Sequence, residues 1–187
     1  MRRGVPPTVR AFVAVEVPAS PEAGGPASAP EHLTLLFLGE VPVERVGPIV
    51  AALTPVGAAV APFDLTLEGV GAFPSPERPR VVWMGATEGA EALARLALGV
   101  RESLAGEGER DRRDPFVPHL TLFRVRSPGD RRRAVELLSG RAPAPAPRRV
   151  RVREFVLKES ELSARGATHR TVASFPLSGP APGAGPG

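Results

Sequence analysis

The chain of 187 residues has no cysteine, no tyrosine and a single lysine, Lys158. The missing cysteines exclude thiolate zinc sites, iron–sulfur clusters, cysteine nucleophiles and redox-active thiols. No apolar run approaches the roughly 18 residues that a membrane-spanning helix needs. The first residues also lack the apolar segment of a signal peptide. We therefore expect a soluble, cytoplasmic protein that has no contact with a membrane.

The charge is small overall but unevenly distributed along the chain. The formal net charge is only +4, although the isoelectric point is near 11.0, because little besides arginine titrates above neutrality. Residues 1–109 hold 8 arginines and 13 acidic residues, whereas residues 110–170 hold 16 basic and 7 acidic residues. A basic second half favours a partner that carries phosphate. An arginine-rich composition that merely solvates the surface is the alternative.

Short strand-like runs alternate with helical patterns, which predicts an α+β fold whose sheets are covered on one face by helices. Alternating or β-branched runs predict strands over 10–17, 32–38, 63–70, 80–84, 119–125, 150–157 and 171–177. Helical spacing of apolar residues predicts helices over 48–53, 87–104 and 130–138. Pro48 and Pro55 restrict the first helix, and Asp130 is the expected N-cap of the third. The lone tryptophan, Trp83, is expected in the core.

The length suggests one domain, which we place at residues 1–177. After Ser178, the chain contains only glycine, proline and alanine. Such a segment has neither charge nor a large apolar side chain to bury, so we expect a disordered tail over residues 178–187.

Two identical tetrads carry the strongest functional signal. His-Leu-Thr-Leu occurs at residues 32–35 and again at residues 119–122. From the residue frequencies, two such matches among three histidines arise by chance on the order of once in a million. Alternate strand residues share one face, so each histidine lies beside its threonine while the leucines point into a core.

The pattern predicts one imidazole and one hydroxyl on the surface of each of two strands: His32 with Thr34, and His119 with Thr121. Imidazole is the acid–base group suited to neutral pH, and threonine hydroxyls can donate hydrogen bonds to anionic oxygens. Placed side by side, the two strands could hydrolyse a phosphodiester without a metal. One histidine would take a proton from water and the other would protonate the leaving oxygen.

Paired histidines also occur in zinc sites, but no third ligand recurs with these two in a ligand pattern. We therefore expect no metal and no cofactor. The third histidine, His169, lies in no such motif, and we expect it at the surface or at an interface.

The chain resembles the RNA 2′,3′-cyclic phosphodiesterases, or 2′-5′ RNA ligases, of the two-histidine phosphoesterase superfamily. The likeness rests on the paired His-x-Thr-x motifs together with an ordered set of segments: 10–18, 31–41, 80–83, 115–124, 155–160 and 175–177. It extends over roughly residues 8 to 177.

This resemblance implies a bilobal, pseudo-twofold α+β fold with two antiparallel sheets flanking a central groove and helices outside. It implies that His32 is the proton donor and His119 the proton acceptor. It also implies a substrate contact for Arg124, although strand parity puts this residue on the face opposite His119 and Thr121.

Two departures from the family pattern affect substrate preference more than chemistry. Only residues 18–31 separate the first strand from the first motif, too few for the helix that the family usually has there. His169 stands where relatives commonly have a tyrosine.

The resemblance implies a metal-independent hydrolase that opens RNA 2′,3′-cyclic phosphate ends to 2′-phosphomonoesters. We expect the protein to be a monomer. Reversible 2′-5′ RNA ligation at the same site is a further possibility. A small cyclic nucleotide as the substrate is one alternative, and a non-catalytic RNA-end-binding module is another.

Overall fold

The computed structural model describes residues 7–18, 31–105, 115–163 and 166–180. Within these ranges the chain forms, in order, β1 (Thr8–Val17), β2 (Glu31–Pro42), α1 (Val43–Ala59), β3 (Phe63–Phe73), β4 (Val81–Ala86), α2 (Ala90–Ser103), β5 (His119–Arg124), α3 (Pro128–Leu138), β6 (Arg148–Val152), β7 (Glu154–Ser163) and β8 (Gly166–Pro176).

The strands form two four-stranded antiparallel sheets. The first sheet has the order β2-β1-β7-β8, and the second has the order β5-β4-β3-β6. Each tetrad therefore lies on an edge strand, and these two edge strands, β2 and β5, contact each other. The two-sheet, pseudo-twofold architecture expected from the resemblance is confirmed.

One hydrophobic core joins both sheets to helices α1 and α2. The tetrad leucines Leu33, Leu35 and Leu120 are buried in it together with residues of β3 and α2, such as Leu65 and Leu93. Helix α1 packs on β2, β7 and β8, whereas α2 packs on β2 and β3. The core therefore holds the leucine face of each tetrad, which leaves the histidine face pointing away from it.

Helix α1 is longer than the expected segment 48–53, and it contains both Pro48 and Pro55. Its buried residues, Ile49, Leu53 and Val56, recur at helical spacing and form one face against the core. Burial of this face outweighs the cost of the backbone hydrogen bonds that the two prolines remove.

Helix α3 begins earlier than expected, and its N-cap is Ser127 rather than Asp130. The Ser127 hydroxyl accepts a hydrogen bond from the Asp130 backbone N–H (3.1 Å), and the Asp130 carboxylate accepts one from the Ser127 backbone N–H (2.9 Å). This reciprocal pair is a capping box. The Asp130 carboxylate accepts hydrogen bonds from the backbone N–H of Arg126, from the Ser127 hydroxyl and from the Ser127 backbone N–H. These bonds lower the pKa of the Asp130 carboxyl, and the bond from Arg126 has the largest effect.

The expected single strand over 150–157 is two strands in different sheets. The chain leaves the second sheet after Val152 and enters the first sheet at Glu154. At the crossing point, the Arg153 carbonyl accepts a hydrogen bond from the Leu177 backbone N–H (2.8 Å). The pattern of this segment indicates an extended strand, but it does not show which sheet receives each part.

The packed structure continues past the expected domain end at residue 177. The backbone N–H groups of Ser178 and Gly179 each donate a 3.0 Å hydrogen bond to the end of α1, at the carbonyls of Gly57 and Val60. Residues 181–187 of the expected tail and residues 19–30 of the short connection lie outside the described residues. In the part that is described, no helix is long and apolar enough to cross a membrane.

Candidate active site

The first tetrad is positioned by the pairing of β2 with β1. His32 lies opposite Glu16 and Thr34 lies opposite Ala14, so their side chains share one face of the sheet. Leu33, between them, is fully buried in the core on the other face. The expectation that His32 and Thr34 share a face away from the core is met here.

The second tetrad is positioned in the same way by β4. His119 lies opposite Gly85 and Thr121 lies opposite Trp83, whereas Leu120 is buried in the core. His119 and Thr121 are both half-buried. The two tetrads come from different sheets, but they lie at adjacent edges because β2 and β5 contact each other.

Arg124 lies on the same face as His119 and Thr121, contrary to the parity argument. A β-bulge interrupts the pairing of β5 with β4, so that Phe123 pairs with Val82 and Arg124 pairs with Val81. The extra residue of a bulge reverses the alternation of side chains beyond it. Burial is the main cause of the lowered pKa of His32, and the charge of the exposed Arg124 also contributes to it, which places this arginine near the junction of the two tetrads.

The ring of His119 is held by a backbone carbonyl. Its Nδ1 lies 2.7 Å from the carbonyl oxygen of Val117. Since a carbonyl only accepts hydrogen bonds, Nδ1 carries the proton, and the neutral ring has its lone pair on Nε2. Phe73 contacts the ring edge-on at a centroid distance of 4.9 Å. The Nε2 atom is thereby the basic atom of this imidazole.

Trp83 is not a core residue, contrary to expectation. It is half-buried, and its ring centroid is 6.1 Å from that of His119 and 5.2 Å from that of Phe73. Its neighbours in β4, Val82 and Met84, are the buried ones. Strand alternation therefore puts the indole on the histidine face, where it supports His119. The indole Nε1 is buried and has no hydrogen-bond partner among the described residues.

His32 is enclosed by two other rings. Its ring centroid is 4.9 Å from Phe12 and 5.0 Å from His169. Burial, the nearby His169 and then Lys158 lower the pKa of His32 to about 4. The imidazole of His32 is therefore neutral near pH 7 in the unliganded protein.

His169 is part of this site although no sequence motif contains it. It is exposed at the surface, as expected, but strand β8 carries its ring to the edge of His32. The pairing of His169 with Ser160 of β7 sets this position. Strand pairing between distant segments brings the two histidines together, so no local pattern could have revealed it.

Beneath the rings lies a buried cation, the only lysine of the chain. Lys158 is 3% exposed, forms an ion pair with Glu16 and donates a 3.2 Å hydrogen bond to the Thr171 hydroxyl. Glu16 is the strand partner of His32. A buried ammonium needs such a carboxylate partner, and the pair positions a charged group directly next to the first tetrad.

Phe12, Phe37, Phe116 and Phe123 lie in or next to the strands that carry or flank the tetrads, and they differ in exposure. Phe12 is 2% exposed, and Phe116 packs against the core. Phe123 faces away from the tetrads, where the Arg133 guanidinium stacks on it at 4.5 Å. Phe37 is 45% exposed and is the strand partner of Phe12 on the histidine face. Of the four, Phe37 is therefore the one with accessible surface at the site.

The basic second half of the sequence does not correspond to one lobe. Its strands β5 and β6 belong to the second sheet, whereas β7 belongs to the first sheet. The exposed arginines of α3, Arg131 and Arg132, follow Arg124 and Arg126 along the chain. The arginines of the second half thus lie mainly at β5, α3 and β6.

In the described parts of the chain, no group of three or more histidine, aspartate or glutamate side chains is arranged to hold a metal ion. The independence from metal expected from the sequence remains a prediction.

Comparison with known proteins identifies relatives over nearly the whole chain. An RNA 2′,3′-cyclic phosphodiesterase of Archaeoglobus fulgidus is 38% identical over 182 residues, which cover 89% of this chain and 99% of the relative. One of Thermus thermophilus is 39% identical over 155 residues, which cover 79% of this chain and 72% of the relative.

Solved structures share the fold. The crystal structure of Escherichia coli LigT complexed with 3′-AMP matches with a TM-score of 0.69 and 27% identity, covering 92% of this chain and 99% of LigT. The crystal structure of a Thermus thermophilus protein also has a TM-score of 0.69, at 31% identity, covering 91% of this chain and 98% of that one. The family model described as the 2′-5′ RNA ligase superfamily matches residues 7–163. With its two facing tetrads and this match, the chain belongs to the 2′-5′ RNA ligase superfamily.

Proposed function

We propose that this protein is an RNA 2′,3′-cyclic phosphodiesterase, a hydrolase that opens cyclic phosphate ends of RNA to 2′-phosphomonoesters without a metal. The observation that carries the proposal is the meeting of two His-x-Thr faces at adjacent edges of two sheets. A single tetrad would supply one proton-transfer group, whereas the hydrolysis needs a base for water and an acid for the leaving oxygen. The relatives named RNA 2′,3′-cyclic phosphodiesterase support this reaction.

His119 acts as the base. Its Nε2 holds the lone pair because Nδ1 donates to Val117. This atom takes a proton from water as the water oxygen bonds to phosphorus. The Thr34 and Thr121 hydroxyls donate hydrogen bonds to the phosphoryl oxygens, and Arg124 balances their negative charge.

His32 acts as the acid. As the bond from phosphorus to the 3′ oxygen breaks, His32 donates a proton to that oxygen, which leaves the phosphate on the 2′ oxygen. In the unliganded protein, burial and the neighbouring cations lower the pKa of His32 to about 4. The negative charge of the bound cyclic phosphate raises this pKa, so that His32 becomes protonated together with substrate binding.

The exposed ring of Phe37 favours a nucleotide as the substrate. Its exposed ring lies on the histidine face, one ring away from His32 through Phe12. Unpaired bases of RNA bind by stacking on such rings. A nucleobase attached to the cyclic phosphate would therefore have an apolar surface to contact.

The test uses an oligonucleotide that ends in a 2′,3′-cyclic phosphate, incubated with the protein in excess EDTA. We expect the cyclic end to gain one water and to give a 2′-phosphate only. His119→Ala is the matched negative control. A 3′-phosphate product would reverse the positions of acid and base. Activity lost in EDTA and restored by a divalent ion would show that the reaction needs a metal.

Two further substrates separate the alternatives. Preference for a mononucleoside cyclic phosphate over the oligonucleotide would identify a small-nucleotide enzyme. Tight binding of the oligonucleotide without turnover would identify an RNA-end-binding protein.

A further inference from the structure

We propose that His169 is a positioning residue of the active site, whose ring holds His32 in place and whose charge is coupled to that of His32. The proposal rests on the proposed function, because positioning matters only if His32 transfers a proton. It gives a role to a histidine that lies outside both tetrads.

The geometry is a closed set of three rings. Phe12 lies 4.9 Å from His32 and 5.1 Å from His169, and the two histidines lie 5.0 Å apart. His169 meets both of its neighbours edge-on, with interplanar angles of 83° to His32 and 82° to Phe12. His32 is therefore contacted by a tilted ring from β1 and by a perpendicular ring from β8. These contacts restrict rotation of its imidazole about χ2.

The strand framework makes this arrangement specific. Phe12 is 2% exposed and lies in a small buried cluster with Ala14 and Val156 on the histidine face of the first sheet. His169 lies at the edge strand of the same sheet and is exposed. The rigid ring of Phe12 therefore forms the base on which both imidazoles rest, and His169 forms the outer wall beside His32.

Charge couples the two histidines as well. The charged groups that act on His32 are Glu16 from β1, Lys158 from β7, Arg124 from β5 and His169 from β8. Glu16 and Lys158 form an ion pair with each other and act on the pKa of His32 in opposite directions. Among these groups, His169 is the one whose ordinary pKa lies closest to neutrality.

Protonation of one imidazole therefore disfavours protonation of the other. Burial is the main cause of the lowered pKa of His169, and the charge of Lys158 adds to it. Both imidazoles are thus kept neutral in the unliganded protein, and a bound phosphate anion must supply the charge that draws a proton to this corner. The two imidazoles therefore do not both carry a proton until an anion is present.

The first test is titration of the imidazole protons by NMR in the unliganded protein, which needs no turnover. With three histidines in the chain, single variants assign every signal. His169→Phe keeps a ring of similar size and removes the charge, so the pKa of His32 should rise by about half a pH unit or more. Arg170→Gln is the control, because it removes a neighbouring positive charge that lies on the opposite face, where it pairs with Glu159. An unchanged His32 titration in His169→Phe overturns the coupling.

The second test is the pH profile of turnover. Since His32 must be protonated to act as the acid, a higher pKa should move the alkaline limb of kcat/KM upward in His169→Phe. His169→Ala removes the ring and should lower kcat about tenfold, more than His169→Phe does. Wild-type kcat in His169→Ala, or equal losses in both variants, overturns the positioning role. If the wild-type protein has no turnover while the NMR shift is present, the proposed function fails and the coupling stands.

Discussion

The indole ring of Trp83 lies directly over Gly71, so that a Cβ atom at residue 71 would be 2.2 Å from the Cη2 atom of Trp83. The two residues are partners across β3 and β4. The close approach is possible because glycine has no side chain. It sets the position of the indole, which in turn lies beside His119.

Gly71→Ala should therefore impair catalysis through Trp83. The added methyl group must displace the indole, and this displacement moves Phe73 and His119. We expect kcat to fall by roughly tenfold, because small shifts of a catalytic group have large effects. Gly47→Ala is the matched control, since a Cβ there meets no atom within 4 Å. Kinetics of both variants should be measured beside their melting temperatures, and equal kcat in the two would contradict the supporting role of Trp83.

The two histidines should behave as one catalytic unit. His32→Ala and His119→Ala should each reduce kcat on the order of a hundredfold or more, and the double variant should lose little beyond the worse single one. Thr34→Val and Thr121→Val should reduce kcat less than the histidine variants do, because each removes one hydrogen bond to the phosphate and leaves proton transfer intact. Steady-state kinetics on a cyclic phosphate oligonucleotide give these values. A fully active His119→Ala would refute the mechanism.

Arg124 should contribute to substrate binding because the bulge in β5 turns it toward the tetrads. Arg124→Gln should raise KM about tenfold with a smaller change in kcat. The difference in KM between this variant and the wild-type protein should diminish at high salt. Arg126→Gln is the matched control, since Arg126 is also exposed but follows the end of β5. If the two variants have the same KM, Arg124 does not contact the substrate.

Phe37 should distinguish substrates that carry a base from those that do not. Phe37→Leu should weaken binding of a nucleoside 2′-monophosphate by about 1–3 kcal/mol, the usual contribution of stacking. Binding of ribose 2-phosphate should stay unchanged. Phe37→Trp should retain the affinity, because the indole offers an equal or larger ring. Calorimetric titration measures all of these affinities, and an equal loss for both ligands would point to a structural effect instead.

His32 should make the folded protein sensitive to acid. Its pKa is lowered to about 4 in the folded state and is near 6.5 in the unfolded chain. Between these values the unfolded state binds more protons, so stability is full above about pH 6.5 and is lost as the pH falls toward 4. The contribution is on the order of 3 kcal/mol. Urea unfolding at several pH values should show that the free energy of unfolding falls less toward acidic pH in His32→Asn than in the wild-type protein. The same pH dependence in both proteins would contradict this prediction.

Much of this site follows from residue order alone. The alternation within each tetrad dictates that His32 and Thr34 share a face opposite the leucines, because side chains of a strand alternate. The identity of the two tetrads indicates that their histidines act together. The same periodicity predicts most of the strands and helix α2 within a few residues.

Other features depend on which distant segments pair. The bulge that turns Arg124 toward the tetrads arises in the pairing of β5 with β4, and it cannot be seen in the β5 sequence. The division of residues 150–157 between two sheets depends on the partners available at each sheet edge. Strand pairing is a long-range interaction, so a local pattern leaves it open.

The surroundings of His32 illustrate the same limit. Its neighbours Phe12, Lys158 and His169 come from β1, β7 and β8, and the last two of these strands lie near the opposite end of the chain from His32. The tetrad shows that an imidazole is presented, but its pKa depends on burial and on charges that arrive from β1, β7 and β8. Local order thus specifies which group is offered for catalysis, whereas packing of distant strands determines its protonation, because electrostatic and desolvation effects depend on distance in space and not on distance along the chain.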